Sequence, residues 1–229
     1  MSWTQRAKIA FIGSHGIRKT TAAHAFATTV QRAGRSVEYG REVVRDNPLG
    51  INEAATGEAQ LWVLVSQIRQ ELELAPKADV LVLDRGVIDN FAYYLRACGG
   101  DDRFSVEPLI RRWSATYDLV VRLTPDIELR ADGVRSTNDR FRDEIEAILD
   151  ERLPALVATD RLVTVPASRV TDEFDWWPIA ERLASVVGQP LLAEGVPAHR
   201  ARHAARPRRA GDPESQLALD LERREDAPT

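Results

Sequence analysis

Gly13-Ser14-His15-Gly16-Ile17-Arg18-Lys19-Thr20-Thr21 gathers two glycines, a lysine and two threonine hydroxyls into one short stretch. That combination suits anion chemistry. Glycines let backbone N–H groups converge, the lysine adds a point charge, and the Thr20 hydroxyl is a hard oxygen ligand for a divalent cation. The pattern G-x-x-x-x-G-K-[ST] of a phosphate loop is met at Gly13, Lys19 and Thr20, but Arg18 stands where the second glycine belongs. Two readings of Arg18 are open. If the position needs positive φ, a side chain there costs on the order of 1 kcal/mol and obstructs phosphate, leaving a nucleotide-binding regulator with weak or no turnover. If Gly16 supplies the flexibility instead, the guanidinium points to solvent or to phosphate and binding is kept, which is the expectation here. Gly13 through Thr21 then cradle ATP or GTP, with Lys19 at the β- and γ-phosphates and Thr20 on Mg²⁺. His15 reads as a residue that positions the loop backbone, and His24 as structural.

Asp84 is the second anchor. Val80-Leu81-Val82-Leu83-Asp84-Arg85 reads as a buried strand ending in an acid and a base, at the edge where ligands bind in open α/β sheets. Asp84 would face Lys19 and Thr20, hold the Mg²⁺ water shell or accept a proton from an attacking hydroxyl. Arg85 would hold a substrate phosphate or carboxylate bidentately; the alternative is an ion pair with Asp84 or Asp89. Glu42 and Arg45 sit where an acceptor would be walled. Gln60 and Gln67, with Glu71, form a polar row along a helix, read equally as an acceptor-binding row or a solvated face. Arg135, Arg140 and Arg142 lie in a charged, glycine-containing segment and suggest a lid over transferring phosphate, about residues 127–145.

The elements that must position these groups follow from periodicity. Apolar runs Lys8–Ile12, Ser36–Tyr39, Val80–Leu83, Asp118–Leu123 and Arg161–Pro166 predict five strands. Between them, helices are predicted from Thr20 to Ala33, with Ala23, Phe26, Ala27 and Val30 inward, and from Glu58 to Leu74, with Leu61, Leu64, Val65, Ile68 and Leu72 as the core stripe. Further helices are expected over Val87–Leu95, Val106–Tyr117, from a Thr137 or Asn138 cap to about Glu151, where Leu153-Pro154 interrupts, and over Asp175–Val187. Strands alternating with helices imply a parallel, three-layer α/β/α sheet with right-handed crossovers.

The chain has 229 residues and a formal net charge of −4, and its pI of 5.7 argues against a generally nucleic-acid-binding surface. Cys98 is the sole cysteine, which excludes an intrachain disulfide and a cysteine-based metal site. No apolar run reaches the ~20 residues of a membrane span, and the first eight residues lack a signal-like core, so a cytoplasmic protein is expected. One domain is expected over 1–190. Residues 191–229 read as a mostly disordered charged tail with a basic cluster (Arg200, Arg202, Arg206, Arg208, Arg209).

Beyond these readings, the runs Glu42–Asn52, Glu58–Trp62 with Gln67, Leu83–Tyr93 and Asp132-Gly133-Val134-Arg135 resemble the thymidylate-kinase-like and nicotinamide-riboside-kinase-like P-loop ATPases of the AAA type, over roughly residues 7–187. The resemblance implies a nucleoside- or nucleotide-kinase fold with strand order 2-3-1-4-5. It implies functional roles for Lys19, Thr20, Asp84 and Arg85, lid roles for Arg135, Arg140 and Arg142, and acceptor contacts for Asp89 and its neighbours. Arg18, in place of the loop glycine, puts turnover in question, and Gly86, where Ser or Tyr is frequent, does the same for the acceptor. The implied reaction moves the γ-phosphoryl of ATP, with Mg²⁺, to a nucleoside, nucleotide or similar acceptor. Separately, Gln216-Leu217-Ala218-Leu219-Asp220-Leu221 resembles the short peptides that dock in the bacterial sliding clamp, which keeps open a polynucleotide 5′-kinase or other DNA-metabolism role.

Overall fold

A computed structural model describes residues 6–50, 55–129, 138–198 and 201. Five parallel strands, β1 (Ala7–Ile12), β2 (Val37–Gly40), β3 (Val80–Asp84), β4 (Leu119–Thr124) and β5 (Leu162–Pro166), form one sheet in the order β2-β3-β1-β4-β5. Its helices are α1 (Lys19–Arg32), α2 (Gly57–Leu74), α3 (Val87–Ala97), α4 (Glu107–Ser114), α5 (Asp139–Leu156) and α6 (Trp177–Val186). The three-layer architecture and strand order agree with the expectation from sequence.

Strand alternation sorts the core into two layers. Ile9, Phe11, Val80, Val82, Leu119 and Val121 face one layer, against Phe26 and Val30 of α1 and Ile179 and Leu183 of α6. Ala10, Ile12, Leu81, Leu83 and Val120 face the other, against α2 to α5. Trp176 meets Phe11 and Phe26 edge-on, and those two meet each other at a tilt, at centroid separations of 5.6 to 6.4 Å; such aromatic pairs add about 0.5–1.5 kcal/mol each beyond burial. The register pairs Phe11 with Asp84 and Ile12 with Arg122, so the ends of β3 and β4 flank the loop that leaves β1.

Three expectations need correction. The α2 stripe is rotated: Val65 and Leu72 are 56% and 63% exposed, whereas Ala59, Gln60, Val63, Leu64, Gln67 and Glu71 are buried. The polar row is the inward face, because buried donors from neighbouring elements require its acceptors. Helix α5 also runs through Pro154 to Leu156; a proline this near the end removes one hydrogen bond and only just precedes the natural stop. Its N-cap is Asn138, whose side chain accepts from Phe141 N.

Chain beyond residue 190 packs on the first core layer. Leu191 and Ala201 are buried in the first core layer, joined by partly buried Leu192 and Val196. Arg35, after α1, is buried and fastens this segment: Nε donates to the Leu191 carbonyl at 3.0 Å and Nη2 to the carbonyls of Pro190 and Leu192 at 2.6 and 2.8 Å. Ala193 N donates to the Ala33 carbonyl at 2.8 Å. No helix among the described residues is long and apolar enough to cross a membrane. Replacing Arg35 by alanine leaves these carbonyls without their charged donor, and is expected to lower unfolding free energy by about 2–4 kcal/mol; urea denaturation checks this.

Candidate functional site

The turn between β1 and α1 takes its shape from three residues of positive φ: Gly13 (140°), Gly16 (74°) and Arg18 (63°). A Cβ on Gly13 would stand 2.6 Å from the Leu123 carbonyl, so that glycine is required by contact as well as by conformation. Arg18 occupies the left-handed N-cap of α1. The position does demand positive φ, as the first reading held, yet the side chain does not obstruct the loop. It is exposed and turned away, with Nη1 donating to the Val170 carbonyl at 2.9 Å.

Lys19 opens α1, buried, and its Nζ folds back to donate to the Ser14 carbonyl. Burial pushes its pKa down to about 7; Arg85 adds to the effect, while Asp89, Glu42 and Asp84 oppose it. Thr20 Oγ1 donates to Asp84 Oδ2 at 2.6 Å, joining the loop to the end of β3 as expected. A hydroxyl and a carboxylate oxygen so close are hard donors that fit Mg²⁺, which takes few protein ligands and completes its shell with phosphate and water. Tyr39 of β2 lies beside this pair; burial and the Asp84 carboxylate push its phenol well up, and its ring stacks on His24 at 4.0 Å.

Arg85 is the second buried cation, itself at φ 86°. Nε donates to Glu42 Oε1 at 2.5 Å, Nη1 to Asp89 Oδ2 at 3.3 Å, and the guanidinium lies 4.9 Å from the Tyr93 ring centroid. Burial works against its charge, but Glu42, Tyr93 and Asp89 outweigh it and hold its pKa well above the usual value. Of the ion pairs expected as an alternative, with Asp84 or Asp89, the one with Asp89 exists, and Glu42 is a further partner. Asp89 Oδ1 also accepts from Gly86 N at 2.8 Å, capping α3; burial raises its carboxyl, with Arg85 and Lys19 pulling the other way. Arg45 is half-exposed and reaches Glu42 Oε2 at 3.4 Å.

Behind Arg85 lies a hub that sequence reasoning left as a polar helix face. Glu71, fully buried, accepts from Gln67 Nε2 (3.0 Å), Tyr117 OH (2.9 Å), Trp113 Nε1 (2.7 Å) and Lys8 Nζ (3.1 Å). Gln67 Nε2 also donates to the Arg85 carbonyl at 3.3 Å, and the Tyr117 hydroxyl accepts from Val87 N at 2.9 Å. Gln67 and Glu71 thus hold the left-handed Arg85 turn from beneath. Gln60 is buried nearby on α2 and its side chain makes no hydrogen bond among the described residues.

The opposite flank was also missed. Ser14 N donates to Glu146 Oε1 of α5 at 2.9 Å, and the other oxygen of Glu146 accepts from buried Arg122. Arg122 also reaches Asp150 at 3.1 Å. The available signal was an arginine inside the apolar run Leu119–Leu123, which must find a buried acid. His15 stacks on Phe141 at 5.2 Å, with Nδ1 3.2 Å from the Tyr93 hydroxyl, so it does position the loop. Of the arginines expected to form a lid, Arg140 is 88% exposed and pairs with Glu144, while Arg142 reaches the Ile127 carbonyl and Asp139. Arg135 lies outside the described residues, as does Gln216–Leu221. Ile17 is buried and Thr21 exposed.

Converging cations, a helix N-terminus and a hydroxyl–carboxylate pair make an anion site with a place for a divalent cation. Because Lys19 is depressed to about 7, it is largely neutral at pH 8.5, and a bound phosphate restores its charge. Nucleotide binding at pH 8.5 is therefore expected to take up close to one proton, falling toward none below pH 6. Calorimetry in buffers of different ionisation enthalpy measures it, and Lys19→Met removes the uptake.

Residues 8–169 match the AAA domain family. No curated protein matches the sequence. Among solved structures, the chain resembles that of NadR protein in complex with NR, at TM-score 0.60 and 16% identity, over 83% of this chain and 54% of that one, so it spans about half the NadR chain. Deoxyadenosine kinase from M. mycoides with bound dATP aligns at TM-score 0.49 and 16% identity, over 71% of this chain and 92% of that one. With the family match covering most of its length and the fold shared with NadR, the chain belongs to the AAA-domain family of P-loop proteins.

Proposed function

We propose that this chain is a P-loop kinase that transfers the γ-phosphoryl of ATP or GTP, with Mg²⁺, to a nucleoside, nucleotide or similar small acceptor. The observation that carries the reading is the meeting of Lys19, the Thr20–Asp84 pair and the Arg85–Glu42–Asp89 cluster at one sheet edge. Triphosphate lies along the loop, with Lys19 at its β- and γ-phosphates. Thr20 and Asp84 would hold Mg²⁺, which neutralises charge on the phosphates. Glu42 and Arg85 wall the acceptor, and Asp89 fixes the arginine.

The acceptor oxygen attacks the γ-phosphorus as the bond to the β–γ bridging oxygen breaks, and the diphosphate leaves with that electron pair. A hydroxyl acceptor gives its proton to a carboxylate at the edge. Asp84, the acid that ends β3 beside Thr20, is assigned as that carboxylate. NadR, solved with NR, shares the fold, which supports a nucleoside acceptor. Arg135 and Arg140 are assigned to a lid over the transferring phosphate, and Arg142 to the nucleotide side of it.

The regulator reading rested on an Arg18 that obstructs phosphate; its guanidinium is bonded to Val170 instead, which favours turnover. The test is a panel of nucleosides, nucleotides and oligonucleotides with a free 5′-hydroxyl, incubated with γ-phosphate-labelled ATP. Label is expected in one acceptor class and reduced at least 100-fold by Asp84→Asn or Arg85→Met. Label in none, with ATP bound tightly, returns the regulator reading.

A further inference from the structure

Arg18 is the one residue of the loop that departs from the phosphate-loop pattern, and its geometry gives the departure a use. It sits in the left-handed region at φ 63° and ψ 25°, where glycine is free and an arginine costs on the order of 1 kcal/mol. Its guanidinium is tethered: Nη1 donates to the Val170 carbonyl, 2.9 Å away, in the turn after β5, while the residue stays exposed. Its charge also reaches Asp126, after β4, whose carboxylate is held low first by the Ser168 hydroxyl and backbone N–H. Arg18 thus overlies the β4–β5 side of the site.

That side has a defined part in phosphoryl transfer. The acceptor groups Glu42, Arg85 and Asp89 follow β2 and β3, which lie on the other side of β1 in the sheet. Attacking and leaving oxygens stand on opposite sides of the γ-phosphorus. With the γ-phosphate turned toward Arg85, the rest of the nucleotide runs away from β3, and its nucleoside emerges toward β4 and β5. A guanidinium with one N–H committed to a carbonyl has a fixed plane and a free face. It is planar, permanently charged, weakly hydrated, and stacks on aromatic rings.

We infer that Arg18 is the nucleobase platform of this site, its tethered guanidinium stacking on the base of the nucleoside triphosphate held in the loop. The inference rests on the kinase reading above and adds the contact that the missing glycine makes room for. Stacking uses the π-face that every base has, so this contact favours ATP and GTP alike.

Calorimetric titration of the full chain with Mg-ATP, Mg-GTP and Mg-tripolyphosphate tests it, in wild type, Arg18→Gly and Arg18→Lys. Arg18→Gly relieves the backbone strain and removes the face; Arg18→Lys keeps the charge and removes the face. Both variants are expected to bind ATP and GTP roughly three- to thirtyfold more weakly, with tripolyphosphate affinity within about twofold of wild type. Equal weakening of tripolyphosphate, or an Arg18→Lys that binds ATP as wild type does, overturns the platform and leaves the phosphate site standing. A wild-type chain that binds none of the three overturns the kinase reading and the platform with it.

Discussion

Two cations buried at one edge of the sheet, Lys19 and Arg85, account for most of the polar architecture around them. Removing a charge from water is costly unless it is paired and hydrogen-bonded. Arg85 meets the requirement with Glu42, Asp89 and the face of Tyr93. Lys19 has a carbonyl and a more distant set of acids, and its pKa falls accordingly. The difference suits an anion site: Arg85 is held as a permanent charge, while Lys19 lacks a paired carboxylate and is ready for an anionic ligand. Groups fixed in this way need no reorganisation when charge arrives.

The loop is braced from both flanks. Gln67 and Glu71 support the Arg85 turn from α2, and Glu146 and Phe141 of α5 grip Ser14 and His15. Tyr93 touches both sides, under Arg85 and against His15. Helix α5 is therefore tied to the loop by a hydrogen bond to its backbone as well as by packing, so a shift of Ser14 is transmitted to the helix that follows residues 130–137.

Much of this was legible in the sequence, for stated physical reasons. Apolar runs of strand length, glycine punctuation and a 3.6-residue period yield the five strands, the parallel three-layer sheet and the placing of Lys19, Thr20 and Asp84 at a common edge, whereas the strand order follows from the family resemblance alone. Helix α2 was misread because a pattern argument assumes that the apolar face goes inward. There the partners decide: Lys8, Trp113 and Tyr117 each bring a partly or fully buried donor, and Glu71 accepts from all three. Glu146 and Arg122 escaped for a related reason, since a buried pair separated by 24 residues in the chain leaves no local signature beyond one arginine in an apolar strand. Arg18 was legible as an anomaly, but its direction was not, because the Val170 carbonyl comes from the far end of the sheet.

The clamp of Arg35 on residues 190–192 has a spatial consequence. Residues 193–196 lie beside Ala33 and Gly34, at the carboxyl end of α1, whereas Lys19 begins that helix. At 1.5 Å per residue the 14 residues of α1 separate the two by roughly 21 Å. This packed segment thus lies near the floor of the sheet, with the phosphate loop at its rim.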